Sequence, residues 1–267
     1  MVDVCIVGLG WLGKALYEEL ASRGKNVTGS RTSQKGVDSL VEEGMRAFRL
    51  VLNPEVEGER LEECLSAKVL VINIPPGRRD PDVELRHPQE ISHLLNKALE
   101  FGVEQIIFVS STSVFGSVKG SVDDDAVRRP DTASGRALLR CEDLLMKKTG
   151  GKACVVRFGG LYGPDRHPGR FFAGRKDVPS GDAPVNFIHR EDAVGVIVHL
   201  IENQVHGAVL NACAPAHPPK KTFYHRAALH AGLTPPQFLS GGGDEKEVRC
   251  SWLQRQGYVF ERAGLEM

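Results

Sequence analysis

The stretch VCIVGLGWLGKAL, residues 4–16, joins a short apolar run to glycines in the spacing GxGxxG. Residues 2–7 predict a strand, and residues 12–23 predict an amphipathic helix that begins where the glycines end. A strand, a glycine-rich turn and a helix in this order are typical of the first unit of a dinucleotide-binding domain. The alternative interpretation is a glycine turn that binds no ligand.

Each glycine of this turn has its own physical reason. Gly8 permits a tight turn, Gly10 lets the backbone approach a pyrophosphate, and Gly13 lets the helix pack closely on the strand. The free N–H groups and the positive dipole end of the helix would face that pyrophosphate, so Trp11 and Leu12 are predicted to contact the cofactor as well. For Trp11 two positions remain open, one over the cofactor and one against a neighbouring lobe.

The rest of the chain alternates between short apolar runs and helical patterns. Further strands are predicted at 26–30, 68–74, 105–110 and 153–157, and further helices at 88–101, 133–148 and 190–203. This alternation predicts an α/β fold, a Rossmann-like doubly wound parallel sheet with a small C-terminal substrate lobe. Segments rich in glycine and proline interrupt it. We therefore assign 1–162 and 186–212 to the dinucleotide-binding domain and 163–185 and 213–267 to the lobe.

Composition excludes several classes of function. The chain has 267 residues with 34 basic and 34 acidic side chains, which gives no electrostatic basis for binding nucleic acid or an anionic membrane surface. We expect no signal peptide and no membrane span, since no apolar run reaches about 18 residues. The 6 cysteines contain no CxxC pair. We therefore expect no metal site and no disulfide framework, and a cytoplasmic location.

The end of the second predicted strand, NVTGSRTS (residues 26–33), chooses between the nicotinamide cofactors. A carboxylate there would hold a ribose 2′-hydroxyl, but Arg31 occupies the place, with Ser30 and Thr32 beside it. A guanidinium pairs with a 2′-phosphate, and hydroxyl groups donate to it. The sequence therefore predicts NADP as the cofactor. The alternative is a solvated surface arginine.

The segment INIPPG, residues 72–77, ends another strand on the side where cofactors lie in such sheets. Its two prolines lack N–H groups and stiffen the turn. We expect Ile74, Pro75 and Pro76 to line the adenosine or ribose by apolar contact. A rigid loop without such contact is the alternative.

Three further stretches carry a family resemblance: IIFVSSTSVFG (106–116), VVRFGGLYGPDRHPGRF (155–171) and NFIHREDAVGVIV (186–198). With the glycine turn, they resemble an extended short-chain dehydrogenase/reductase. The resemblance is closest to the atypical NAD(P)-dependent epimerase/dehydratase-like branch that includes the bacterial YeeZ-type proteins. It implies a small-molecule substrate, a homodimer formed through two helices of the main domain, and cofactor contacts at Ser110, Phe158 and Gly159.

The same resemblance identifies the positions expected to carry the chemistry. It implies that Ser111 orients the substrate oxygen, and it aligns Glu142 with the acid that follows the family's Tyr-xxx-Lys pair. Counting back from Glu142 puts Ser134 at the tyrosine position and Leu138 at the lysine position. A serine hydroxyl has a pKa far above the phenol value of about 10, so Ser134 replaces tyrosine poorly. Leu138 is expected to join an apolar wall.

Other side chains are candidates for the missing proton relay. Tyr162 lies near the nicotinamide end in one interpretation and packs in the lobe in the other. His189 is either an acid near neutral pH or a structural hydrogen bonder. Arg166, His167 and Arg170 form a basic cluster that either binds an acidic substrate or is solvated.

Two classes of function therefore remain. One is an NADP(H)-binding oxidoreductase or epimerase-like protein that acts on a small carbonyl or alcohol. The other is a non-catalytic NADP(H) sensor or scaffold, which the absence of the tyrosine and lysine favours.

Overall fold

The computed structural model describes residues 2–77 and 80–267, so three positions of the predicted 1–162 domain, Met1, Arg78 and Arg79, lie outside the described residues. The strands are β1 (Val4–Val7), β2 (Val27–Arg31), β3 (Ala47–Asn53), β4 (Glu55–Gly58), β5 (Val69–Ile72), β6 (Gln105–Ser111), β7 (Ser121–Val122), β8 (Cys154–Phe158), β9 (Gly160–Tyr162), β10 (Phe187–His189), β11 (Val209–Ala212) and β12 (Glu247–Val248). Eight of them form one sheet in the order β11-β8-β6-β5-β1-β2-β3-β4. Its neighbours pair in parallel except β3 and β4. The predicted doubly wound α/β fold is confirmed.

The helices that connect these strands match most of the predicted ones. They are α1 (Trp11–Ser22), α2 (Gln34–Glu42), α3 (Leu61–Leu65), α4 (Val83–Glu100), α5 (Ala133–Lys148), α6 (Arg190–Glu202), α7 (Lys220–His230) and α8 (Ser251–Arg255). The helix predicted at 88–101 begins earlier, at Val83, and contains Pro88. Proline has no N–H to donate to the carbonyl of Glu84, and Arg140 Nη1 of α5 donates to that oxygen at 3.2 Å instead.

Residues 34–58 contain elements that the sequence pattern did not indicate. They form α2, whose first turn is capped by the Ser33 side chain, and the antiparallel pair β3 and β4. In β4 the side chains are exposed or half-buried, so its sequence carries little apolar signal. Pairing with β3, rather than a pattern of its own, makes this segment a strand.

The strand order places a reversal beside β1. The chain leaves β1 toward β2 and β3 on one side, and then crosses to β5 on the other side. In open parallel sheets, ligands bind outside the carboxyl ends of the strands at such a reversal. The glycine turn after β1 and the prolines after β5 both border this crevice.

A second, smaller hydrophobic cluster forms the core of the lobe. Its buried members are Tyr162, Val185, Ala214, Phe223, Tyr224 and Leu265. The predicted boundaries need two corrections, since Tyr162 belongs to this lobe core and Val248 and Leu253 pack in the main core. The cause is long-range: β12 pairs with β7, which brings a C-terminal segment onto the main domain.

All six cysteines are buried with free thiols. Within residues 2–77 and 80–267, no group of three or more His, Cys, Asp or Glu side chains is placed to hold a metal ion. In the same ranges no helix combines the length and the apolar composition that crossing a membrane requires.

Candidate active site

The glycine turn is built as its spacing predicts. Gly8 has φ +108°, and a Cβ there would lie 2.4 Å from the carbonyl oxygen of Asn73. A Cβ on Gly13 would lie 2.2 Å from the carbonyl oxygen of Gly8, so helix and turn touch there. A Cβ on Gly10 would meet nothing within 4 Å. Gly8 and Gly13 are therefore required by packing, whereas Gly10 faces open space.

Asn73 is a residue that the sequence analysis missed. Its side-chain Nδ2 donates to the carbonyl oxygen of Gly8 at 2.9 Å, which fixes the glycine turn to the end of β5. Next to it, Ile74 packs on the main core, Pro76 is half-buried and Pro75 is exposed. The signal that could have found Asn73 is a polar residue inside the otherwise apolar run VLVINI.

The start of α1 carries unsatisfied backbone donors. Gly10 is the N-cap and offers no side-chain hydrogen bond, and the first turn contains no acidic residue. Such a helix end binds anions through its N–H groups and its dipole. The Leu12 side chain is buried in the main core, so Leu12 can contact a ligand there only through its backbone.

Trp11 connects the glycine turn to the lobe. Its indole Nε1 donates to the carbonyl oxygen of Pro164 at 2.7 Å. The guanidinium carbons of Arg166 and Arg190 lie 4.8 Å and 5.1 Å from the indole ring centroid. Of the two positions considered for Trp11, the structure has the one against the lobe.

The end of β2 separates one buried hydroxyl from two exposed side chains. Ser30 is buried, and its Oγ accepts a hydrogen bond from the Gly8 N–H at 3.2 Å. It supports the turn from behind, so its predicted contact with a phosphate is not supported. Arg31 and Thr32 are exposed, and the Arg31 side chain has no ion pair or hydrogen bond with another residue in the described part of the chain. Its register partner on β3 is the exposed Arg49.

At the other end of the crevice, Ser111 begins a short 3₁₀ helix at 112–115. Its Oγ accepts a hydrogen bond from the Ser113 N–H at 3.2 Å, which leaves its own hydrogen available to a substrate oxygen. The first turn of α5 lies against this segment, since a Cβ on Gly135 would be 3.0 Å from the carbonyl oxygen of Ser113. Ser134, in the same turn, is half-buried with its Oγ 3.4 Å from Thr132 Oγ1.

The remainder of α5 is occupied by buried contacts. Leu138 packs with Cys141 and Leu145, which confirms the predicted apolar wall. Glu142 is buried and pairs with Arg157, whose Nη2 lies 2.8 Å from Glu142 Oε2.

Ser110 belongs to this buried network as well. Its Oγ donates to Glu142 Oε1 at 2.6 Å, and its side chain is only 5% exposed. The predicted cofactor contact of the Ser110 hydroxyl is therefore not supported, because this hydroxyl is committed to the buried carboxylate of Glu142.

Tyr162 is placed as a lobe core residue. Its hydroxyl donates to the carbonyl oxygen of Glu266 at 2.9 Å, and its ring is buried against Phe187 and Phe223. Burial, with the negative charge of Glu266 nearby, raises the pKa of Tyr162 well above the ordinary value for a phenol. A phenol committed to a backbone carbonyl is no proton relay, so the predicted catalytic role is not supported.

His189 begins α6 rather than facing the crevice as a free acid. Its Nδ1 accepts a hydrogen bond from the Glu191 N–H at 3.3 Å and so caps the helix. Its ring lies 5.0 Å from that of Tyr162, and burial lowers the pKa of its imidazole. This is the structural role considered for His189, and the catalytic one is not supported.

The end of β8 leaves little side-chain surface for a ligand. Phe158 is buried in the main core. A Cβ on Gly159 would lie 2.4 Å from the carbonyl oxygen of Asn186 and 2.5 Å from Cys213 Sγ. The predicted cofactor contacts at Phe158 and Gly159 are therefore restricted to their backbone atoms.

Lys246 is a second residue that the sequence analysis missed. Its ammonium donates to the carbonyl oxygens of Thr112 and Gly116 at 3.0 Å and 2.9 Å, beside Ser111. Burial lowers the pKa of Lys246. No local signal marks it, because it reaches this turn from the distant C-terminal segment.

Comparison with known proteins agrees with this geometry. Residues 4–213 match the model of the NAD dependent epimerase/dehydratase family. The chain is 43% identical to protein YeeZ of Escherichia coli K12 over 240 residues, which cover 89% of this chain and 87% of that protein. It is 28% identical over 255 residues to a 3-diazoavenalumate denitrifying reductase of a Streptomyces species, covering 86% of this chain and 81% of the reductase.

A solved structure has the same fold at lower identity. It is a short-chain dehydrogenase/reductase superfamily protein from Agrobacterium tumefaciens with bound NAD, which superposes with a TM-score of 0.81 at 16% identity. The superposition covers 97% of this chain and 92% of that one. The strand reversal, the glycine turn and these matches lead to one conclusion: the chain belongs to the NAD dependent epimerase/dehydratase family.

Proposed function

We propose that this protein is an NADP(H)-dependent oxidoreductase or epimerase-like enzyme that acts on a small carbonyl or alcohol. The observation that carries the proposal is the open, uncapped start of α1 at Gly10, with the unpartnered guanidinium of Arg31 at the end of the adjacent strand β2. The first feature suits a diphosphate and the second suits a 2′-phosphate. The relative named as a reductase supports a reaction of this class.

The charge at the end of β2 supports NADP(H) over NAD(H). Arg31 and Arg49 are neighbours in register on adjacent parallel strands, so their side chains leave the sheet on the same face. Neither side chain is neutralised by a carboxylate of the described residues. A 2′-phosphate would supply the missing negative charge, whereas the neutral 2′-hydroxyl of NAD(H) would not.

When bound, a nicotinamide coenzyme supplies or accepts the hydride. The protein's part is to hold the substrate oxygen, and Ser111 is the side chain with a hydroxyl hydrogen to donate. Tyr162 and His189 are bonded within the protein, so the proton comes from Ser134 or from water in this proposal. A weak relay lowers the rate of the step without preventing it.

Calorimetric titration of the wild-type protein and of Arg31→Gln with NADPH and NADH tests the coenzyme. We expect wild-type protein to bind NADPH more tightly. The substitution should weaken NADPH binding by about 10-fold or more, since a hydrogen bond to a charged group contributes about 1.5–3 kcal/mol. NADH binding should be unchanged. Arg255→Gln, an exposed arginine at the end of α8, is the matched control. Tighter binding of NADH by wild-type protein would remove the proposal of NADP specificity.

A second candidate function is a non-catalytic NADP(H) sensor or scaffold. It is favoured by Leu138, which is buried at the position where the resemblance places the catalytic lysine. NADPH oxidation against a panel of carbonyl compounds separates the two functions, with Ser111→Ala as the control. Turnover that Ser111→Ala abolishes supports the enzyme. Coenzyme binding without turnover on any member of the panel supports the sensor.

A further inference from the structure

Two guanidinium groups share the indole ring of Trp11. The guanidinium carbons of Arg166 and Arg190 lie 4.8 Å and 5.1 Å from the ring centroid, within the range of a cation–π contact. The indole itself is held by its hydrogen bond to Pro164. A cation–π contact takes up no hydrogen-bond acceptor, so the N–H donors of both guanidinium groups stay available. The ring therefore orients both cations without satisfying their hydrogen-bonding capacity.

Neither cation is neutralised by a carboxylate of the described residues. The side chains of Arg166 and Arg190 form no ion pair or hydrogen bond with any residue in the ranges 2–77 and 80–267. The carboxylate that follows Arg190, Glu191, pairs with Arg262 at 3.0 Å instead. Two uncompensated positive charges near one ring repel each other, and an anion bound to them would relieve that repulsion.

The position of the indole indicates which anion the two arginines bind. Trp11 is the first residue of α1, directly after Gly10 and its open space. That helix start is where the proposed function places the diphosphate of the coenzyme. A substrate, in contrast, is expected beside Ser111 at the end of β6, on another strand of the sheet.

We infer that Arg166 and Arg190, oriented by Trp11, bind the diphosphate of the coenzyme from the lobe side. The ligand class is a dinucleotide with a 5′–5′ diphosphate bridge. Because Arg166 belongs to the turn held by Trp11 at Pro164, bound coenzyme would also fix this lobe segment to the glycine turn. The inference rests on the proposed function, and its test separates the two.

The test is calorimetric titration of three proteins, Arg166→Gln, Arg190→Gln and the control Arg170→Gln. Arg170 lies in the same segment and is exposed, but its guanidinium makes no cation–π contact with the indole. Each protein is titrated with NADP⁺ and with adenosine 2′-monophosphate, which carries the 2′-phosphate but no diphosphate. We expect Arg166→Gln and Arg190→Gln each to weaken NADP⁺ binding about 10-fold or more, a factor equivalent to about 1.4 kcal/mol. Binding of the monophosphate should be unchanged, and Arg170→Gln should behave as wild type.

A second readout uses the fluorescence of Trp11. The chain has 2 tryptophans, so Trp252→Phe leaves Trp11 as the only indole emitter. NADP⁺ should change this emission, and the Arg166→Gln and Arg190→Gln exchanges in the same background should reduce the change. Thermal melting of every variant identifies loss of fold.

Each remaining outcome has a definite meaning. If the folded variants Arg166→Gln and Arg190→Gln bind NADP⁺ as tightly as wild type, the two arginines do not bind the diphosphate. The same conclusion follows if their affinities for NADP⁺ and for adenosine 2′-monophosphate fall equally. In both cases the proposal that the protein binds the coenzyme stands. If the wild-type protein binds neither NADP⁺ nor NAD⁺, the proposed function and the inferred role of Arg166 and Arg190 are both overturned.

Discussion

The groups predicted to bind the coenzyme and the groups considered for proton transfer differ in how their polar atoms are used. The start of α1 and the Arg31 guanidinium have no partner among the described residues. Tyr162 and His189 are each bonded to a group of the protein itself, as is the hydroxyl of Ser110. Unsatisfied donors are costly unless a ligand or water meets them, whereas satisfied ones stabilise the fold. The start of α1 and Arg31 are thus available to an anion, whereas the polar atoms of Tyr162 and His189 stabilise the fold.

The largest effect that would test this contrast is at Glu142. Glu142→Ala leaves the buried Arg157 guanidinium without its carboxylate, and breaking a buried pair in this way costs about 3–5 kcal/mol of unfolding free energy. Urea denaturation measures it.

The matched control for Glu142 removes both charges. The double variant Glu142→Leu/Arg157→Met should recover much of the stability, because no buried charge is then left alone. A stable Glu142→Ala protein that fails to bind NADPH would place Glu142 in the ligand site and break the contrast.

A smaller effect is expected at Tyr162. Tyr162→Phe removes the hydrogen bond to the Glu266 carbonyl, so the free energy of unfolding should fall by about 1 kcal/mol. NADPH affinity and any turnover should be unchanged, because the phenol is bonded to a backbone carbonyl within the lobe core. Tyr224→Phe is the control, since the Tyr224 hydroxyl in the same cluster has no hydrogen bond with a described residue. A large loss of turnover at unchanged stability would restore Tyr162 as a catalytic group.

The features that the sequence predicted are local ones. The glycine spacing after β1 and the bounds of α5 each depend on residues within one or two turns of each other, and both were correct. Arg31 was predicted to lie at the end of the second strand, and it is the last residue of β2. Short-range signals of this kind follow from backbone geometry and periodicity.

What the sequence could not predict depends on contacts between distant segments. Trp11 meets Pro164, Tyr162 meets Glu266, and Lys246 meets Thr112, each across more than one hundred positions of the chain. A tyrosine or histidine in a loop gives the same sequence signal whether its polar atom faces a ligand or a backbone carbonyl. Only the fold decides between them, and it places the phenol of Tyr162 on a carbonyl oxygen and the imidazole of His189 at the start of a helix.

The smallest effect is the pH dependence of stability at His189. Burial lowers the pKa of this imidazole below its ordinary value of about 6.5, although the carboxylate of Glu191 nearby acts in the opposite direction. The unfolded chain then binds the proton more readily than the folded one, so the stabilisation is present above about pH 6.5 and is lost as the pH falls below it. A protonated Nδ1 also cannot accept the Glu191 N–H that caps α6. Asparagine caps a helix without titrating. Urea denaturation at about pH 7.5, 6.5 and 5.5 should therefore show a shallower loss of stability for His189→Asn than for wild type, with the other histidines contributing equally to both. Equal slopes would mean that the imidazole is free to titrate, as a group at the ligand site would be.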